Sequence, residues 1–398
     1  MKKLLALVMA GAMALGLVAC GQPAEGGSAG DDEFKVGAIY INSQNDTSGY
    51  TFQHHQGITT AMEQLGLDPE SQLAIVDNVK EEDGAVSNAI DILAGQGCDI
   101  IFGISFGYIN AMDAAAKEYP DIIFSHATGY MSNETNFNNY FGRIYQARYL
   151  SGVAAGLKSL ETGNNAIGYV AAYNTEYAET CSGINAFTLG VQSANPNAKV
   201  YVNQISTWGD EAKEKSAAQA LIDTYNCGVI AQHCDSAQPQ MCAADNGVFG
   251  VGYNSDMTDK APTAHLTAAI WHWDVYYKEA IAAAQEDPQG FMNSVGNYYG
   301  GLAENFVGIS PLTNNCAANT QAVVDAVSDL IVSGEWDVFS GVKLSYNIGE
   351  NGSVEIVRTD ADLKDNQGNV IVPAGGQSIT DEVIKGSMDY NVEGVVVG

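Results

Sequence analysis

Val36-Gly37-Ala38-Ile39-Tyr40-Ile41, running straight into Asn42-Ser43-Gln44-Asn45-Asp46-Thr47-Ser48-Gly49-Tyr50, is the stretch that decides the fold class. An apolar run with no polar alternation is a strand buried on both faces, and such strands belong to parallel sheets sheathed in helices. A polar loop leads from it into helical spacing over Gln56 to Leu65. The same unit then returns: strand Leu73 to Val76, helix Ala85 to Ala94, strand Ile100 to Ser105, helix Asn110 to Glu118, strand Ile122 to His126. This rhythm predicts an α/β lobe over 34–145, a parallel sheet with helices on both faces.

A helix over Gln146 to Leu160 closes that half, and the order restarts at Ala166 to Val170. Helix Cys181 to Ala194, strand Lys199 to Gln204, helix Glu211 to Tyr225, strand Val229 to Gln232, a helix near Pro239 to Asn246 and strand Phe249 to Tyr253 follow. They predict a second, similar lobe over 146–278 that includes the hinge crossings. The remainder, 279–398, is less regular and is expected to pack across both lobes. It holds a helix over Asn319 to Ser333 and a turn at residues 364–369 between Val342-Lys343-Leu344 and Val370-Ile371-Val372. Ligands of open α/β sheets sit beyond the carboxyl ends of the strands, so two facing sheets place one ligand in the cleft between lobes.

The N-terminus reads as a lipoprotein signal. Met1-Lys2-Lys3 is basic, Leu4 to Leu15 is apolar, and Leu17-Val18-Ala19 precedes Cys20, the thiol expected to carry lipid once residues 1–19 are removed. Residues 20–33, Gly/Ala/Ser-rich and acidic, read as a lipidated flexible tether. More than one acyl chain would anchor such a chain stably to the extracytoplasmic face of the cell membrane.

With 17 basic against 47 acidic residues the formal charge is −30. A field of that sign repels nucleic acid and other polyanions, leaving neutral or cationic ligands. Cys227, Cys234 and Cys242 have spacings that match no zinc pattern, no glycine-rich phosphate loop follows a strand, and the six histidines form no readable triad. Neither cofactor, metal nor catalysis is expected.

The loops after the strands are unusually aromatic. They carry Tyr50, Ser105-Phe106-Gly107-Tyr108 and His126-Ala127-Thr128-Gly129-Tyr130 in the first lobe. The second has Tyr173-Asn174, Ser206-Thr207-Trp208-Gly209-Asp210, His233-Cys234-Asp235-Ser236 and Tyr253-Asn254-Ser255-Asp256. A flat ring held between Tyr50 or Phe106 and Trp208 accounts for that inventory, each stack adding roughly 1 to 3 kcal/mol. Trp208 follows neither strand nor helix period, so core burial does not explain it. Asp235 and Asp256 suit both ligand contact and capping of the helix that follows.

Several passages together resemble the basic membrane protein (BMP) family of substrate-binding lipoproteins of ABC importers, in the branch that binds purine bases or nucleosides. They are residues 49–54, 105–108, 126–130, 183–190, 218–223, 232–236, 255–257 and 392–396. The resemblance implies a two-lobed periplasmic-binding-protein fold, a purine stacked between aromatics of the two lobes, delivery to an ABC permease, and a monomer. It implies that Tyr50 and Trp208 are the stacking pair and Asp256 the polar clamp. Gly49-Tyr50 replaces the Phe-Asn pair of nucleoside binders, which favours a free base; Cys234 stands in place of Thr, and Ser345 to Arg358 looks inserted. The rival expectations are a ligand-sensing lipoprotein coupled to signalling and a purine nucleoside-processing enzyme.

Overall fold

The computed structural model describes residues 33–349 and 351–398; the signal sequence, Cys20 and the start of the tether lie outside them. Lobe 1 begins with β1 (Val36–Tyr40), α1 (Gly49–Gln64), α2 (Pro69–Gln72), β2 (Leu73–Val76) and α3 (Asp83–Gly95). It continues through β3 (Ile100–Ile104), the single turn Phe106–Tyr108, α4 (Ile109–Glu118), β4 (Ile123–Ala127) and β5 (Phe137–Gly142). The chain crosses through α5 (Ile144–Thr162) into lobe 2. There it forms β6 (Ala166–Ala171), α6 (Ala178–Ala194), β7 (Lys199–Gln204), α7 (Glu211–Tyr225), β8 (Val229–His233), α8 (Gln238–Asp245), β9 (Phe249–Asn254) and β10 (His265–Trp271).

It then returns through α9 (Trp273–Glu286), α10 (Phe291–Ser294) and β11 (Tyr298–Gly300), and crosses a third time to β12 (Val307–Ile309) and α11 (Thr320–Val332). The C-terminal part holds β13 (Val342–Ile348), β14 (Val354–Asp360), β15 (Leu363–Lys364), β16 (Val370–Val372), α12 (Asp381–Gly386) and β17 (Val395–Val397). Two sheets result. The first runs β11-β5-β4-β3-β1-β2, with every pairing parallel; the second runs β12-β10-β9-β8-β6-β7-β17, parallel except for β12.

Each sheet is buried on both faces. On β1, Val36, Ala38 and Tyr40 enter one core and Ile39 the other; on β6, Ile167, Tyr169 and Ala171 face one core and Val170 the other. That is the period-2 alternation of a strand with no polar side. α5 is buried almost all round, as befits a helix wedged between α6 and a sheet. Its backbone lies so close to α6 that a Cβ on Gly152 would stand 2.2 Å from the carbonyl oxygen of Phe187.

The structure moves two expectations. The chain crosses back into lobe 1 near His272 rather than after residue 278, because α9 packs on α1 and buries Tyr276 and Tyr277 in the core of lobe 1. At that crossing Trp271 and Trp273 stack at 4.4 Å. In the C-terminal part, Val342–Ile348 pairs with Val354–Asp360, and Val370–Val372 takes only Leu363–Lys364 as partner. The tight turn ending at Asn351-Gly352, with Gly352 at φ +79°, joins these two nearer strands into a hairpin.

Candidate ligand-binding cleft

All the strand-end loops singled out in the sequence lie at carboxyl ends of parallel strands. Three of them hold a non-glycine residue at positive φ: Thr128 (63°), Ser206 (56°) and Asn254 (65°). For a β-branched residue such as Thr128 this is strained backbone, a cost that tends to gather at ligand sites.

The lobes touch across these loops. A Cβ at Gly49 would lie 2.4 Å from the Asp235 carbonyl oxygen, Lys260 Nζ reaches Thr47 Oγ1 at 3.3 Å, and the rings of Phe106 and Tyr177 meet edge to face at 6.0 Å. Trp208 stands on lobe 2 against Tyr173 (4.9 Å) and Tyr177 (5.5 Å), forming an aromatic wall. Tyr50 stands on lobe 1 with its ring edge-on to His54 at 4.3 Å. Tyr50 and Trp208 thus occupy facing lobes, and their rings pair with other aromatics rather than with each other.

Asp235 joins the loops of lobe 2. Its amide donates to the Trp208 carbonyl oxygen at 3.1 Å, and its Oδ1 accepts from Asn254 Nδ2 at 3.1 Å. Burial, then the neighbouring Glu214 and Asp46, push its carboxyl up to about 8, so near neutral pH it offers a donor as well as an acceptor. Beneath it the fully buried Glu214 accepts from Asp210 N, Ser236 N and Ser236 Oγ at 3.0, 3.1 and 2.6 Å. This one carboxylate ties the Trp208 loop to the Asp235 loop.

Three of the expected site residues sit elsewhere in the geometry. Tyr108 is fully buried and its hydroxyl donates to the Val79 carbonyl oxygen at 2.6 Å, which makes it core rather than cleft lining. His126 is buried as well; its Nε2 lies 2.7 Å from the Ser105 carbonyl oxygen and burial pushes its pKa down to about 4, so a neutral ring pins the ends of β3 and β4. Asp256 is exposed at the rim, where Oδ1 accepts from Thr258 N and Oγ1 at 2.9 and 2.6 Å. Neither Asp235 nor Asp256 caps the following helix, since α8 begins after Ala237 and Asp256 closes only its own turn.

The sequence reading passed over Arg148, Glu179 and Tyr177. Arg148 was masked by its place inside an apolar helix; the signal for Glu179 and Tyr177 was their position just beyond the β6 loop. Among the buried polar atoms without a hydrogen-bond partner, Tyr50 Oη of lobe 1 and Asn174 Oδ1, Glu179 Oε1 and Asn254 Oδ1 of lobe 2 belong to strand-end loops or to the first turns that follow them. Orphaned groups of this kind are costly in a dry interior and mark where a polar ligand belongs. A cavity of about 210 Å³ between α6 and the C-terminal part, bordered by Gln192 and Trp336, contains none of them.

Two parallel-sheet lobes joined by three crossings and closing on loops at the strand ends define a two-lobed solute-binding protein. The chain belongs to the ABC transporter substrate-binding protein PnrA-like (Bmp) family, whose model matches residues 34–340. It is 36% identical to a purine-binding protein of Brucella abortus over 79% of this chain and 86% of that protein. It is 33% identical to a putative ABC transporter glucose-binding protein of Haloferax volcanii, over 79% of this chain and 76% of that one. Among solved structures, a solute-binding protein of an ABC transporter system from Aeropyrum pernix superposes with a TM-score of 0.63 at 16% identity, covering 80% of this chain and 95% of that one. The protein is therefore a substrate-binding component and not an enzyme, works on the extracytoplasmic side, and has a ligand and an ABC permease as partners. No helix among the described residues is long and apolar enough to cross a membrane.

Proposed function

We propose that the protein captures a purine base, or a nucleoside, in the interlobe cleft and presents it to its permease while tethered to the membrane by lipid on Cys20. The observation that carries this reading is that aromatic side chains stand at the strand ends of both lobes, Tyr50 and Phe106 on lobe 1 and Trp208 with Tyr173 and Tyr177 on lobe 2, with buried polar atoms that lack partners on the same loops and helix starts. Flat rings are held by stacking and oriented by such polar groups. The name of the Brucella relative agrees with a purine. Asp235 supplies the polar contact deep in the cleft, and Asp256 clamps from the rim as the lobes close. Ligand binding favours the closed form by as much as it binds that form more tightly than the open one.

Titration calorimetry of residues 33–398 with adenine, guanine, hypoxanthine, adenosine, inosine and glucose tests the ligand. Saturable heat with a base is the expected result; heat with glucose alone overturns it. Loss of acyl labelling and of membrane association in Cys20→Ser tests the anchor. A purine uptake defect on deleting the gene separates transport from sensing.

A further inference from the structure

Beyond the aromatic wall, four side chains converge from four elements. Arg148 comes from α5, Glu179 from the first turn of α6, His233 from the end of β8 and Tyr253 from β9. The Arg148 guanidinium lies over the Tyr253 ring at 3.7 Å and its Nη1 donates to the Gln232 carbonyl oxygen at 2.7 Å. It is 1% exposed, and its Nε and Nη2 have no partner. Glu179 Oε1 is 3.0 Å from His233 Nε2 but out of line, so both atoms remain without a hydrogen bond.

No nitrogen–oxygen contact within 4 Å joins Arg148 to Glu179, so the arginine does not consume the carboxylate in a fork-to-fork pair. Burial opposes the charge on Glu179, yet His233 and Arg148 hold its pKa below the usual carboxylate range. Burial lowers the His233 pKa, and the neighbouring Glu179 opposes that shift. Glu179 lies in the first turn of α6, two residues after Tyr177, whose ring meets Phe106 and Trp208 at the cleft. One fifth of its side chain remains accessible. An ionised acceptor is thus kept charged by its surroundings while its oxygen stays free.

We infer that Glu179 reads the ring edge of the ligand, accepting a hydrogen bond from a ring N–H or amino group, so that the cleft selects neutral or protonated heterocycles with a donor edge and rejects anionic ones. This rests on a flat ring occupying the cleft, as proposed above.

The test titrates the wild-type protein and Glu179→Gln with adenine, hypoxanthine, cytosine, 2-aminopyrimidine and urate at pH 7.5, with melting curves of both ligand-free proteins. The expected result is a roughly 10- to 100-fold weaker affinity for the donor-edge ligand in Glu179→Gln. In the wild type, urate, an anion at this pH, should bind at least tenfold more weakly than hypoxanthine. Unchanged purine affinity in a folded Glu179→Gln overturns the assignment of Glu179 and leaves the purine reading intact. Glu179-dependent binding of cytosine or 2-aminopyrimidine without any purine overturns the purine reading and keeps Glu179. Should Glu179→Gln fail to fold, wild-type protein that binds urate as well as hypoxanthine refutes the inference by itself. Binding of none of the five refutes both.

Discussion

Gly49 on lobe 1 and Asp235 on lobe 2 meet backbone to backbone: a single added Cβ on Gly49 would come within 2.4 Å of the Asp235 carbonyl oxygen. Gly49 also has φ +85°, so it is both the contact point of closure and a position that disfavours side chains.

Gly49→Ala is therefore expected to obstruct closure. Overpacking against rigid backbone costs about 1 to 3 kcal/mol, which corresponds to roughly a 5- to 150-fold loss of ligand affinity. Small-angle scattering checks it: the wild type should contract on adding ligand and the variant should not. Contraction of the variant equal to that of the wild type would refute the contact's role.

Asp235 carries a pH signature. Its pKa in the folded protein, about 8, is above the ordinary carboxylate value of 3.8, so the folded state holds a proton that the unfolded chain has lost. The stability associated with the protonated form is complete below about pH 4 and declines as pH rises toward 8. Melting temperatures of wild type relative to Asp235→Asn should fall across that window and level off above it. A difference that stays flat or grows with pH contradicts the assignment.

Tyr108→Phe separates core from cleft. The hydroxyl that donates to the Val79 carbonyl oxygen is buried, so its removal should cost about 1 to 2 kcal/mol of stability by denaturant melt and leave ligand affinity unchanged. A loss of affinity without destabilisation would return Tyr108 to the ligand site.

Much of this was written locally in the chain. Strand Lys199–Gln204 and helix Glu211–Tyr225 agree to the residue with their sequence signals, because Asp210 caps α7 through Lys213 N and Asn226 ends it at φ +55°. β5 escaped detection because Phe137-Asn138-Asn139-Tyr140 looks polar. Its asparagines find partners mostly far along the chain: Asn138 Nδ2 donates to the Tyr276 hydroxyl and the Gly296 carbonyl oxygen, and Asn139 bonds to Asn297 as well as to the Met131 carbonyl oxygen. The cleft divides the same way. Trp208 stood out because no local period explained it, whereas Tyr108, equally aromatic and equally placed after a strand, turns inward by one helical turn. Arg148 and Glu179 owe their place to four elements meeting, which no single segment encodes.

Calorimetric titration of Trp208→Ala beside the wild type, using the purine that binds most tightly, bears most directly on the aromatic cleft. A loss of about 1 to 3 kcal/mol in binding, with an unchanged melting temperature of the ligand-free protein, is the predicted result. Equal affinity in the two proteins would contradict a ring held against the Trp208 wall.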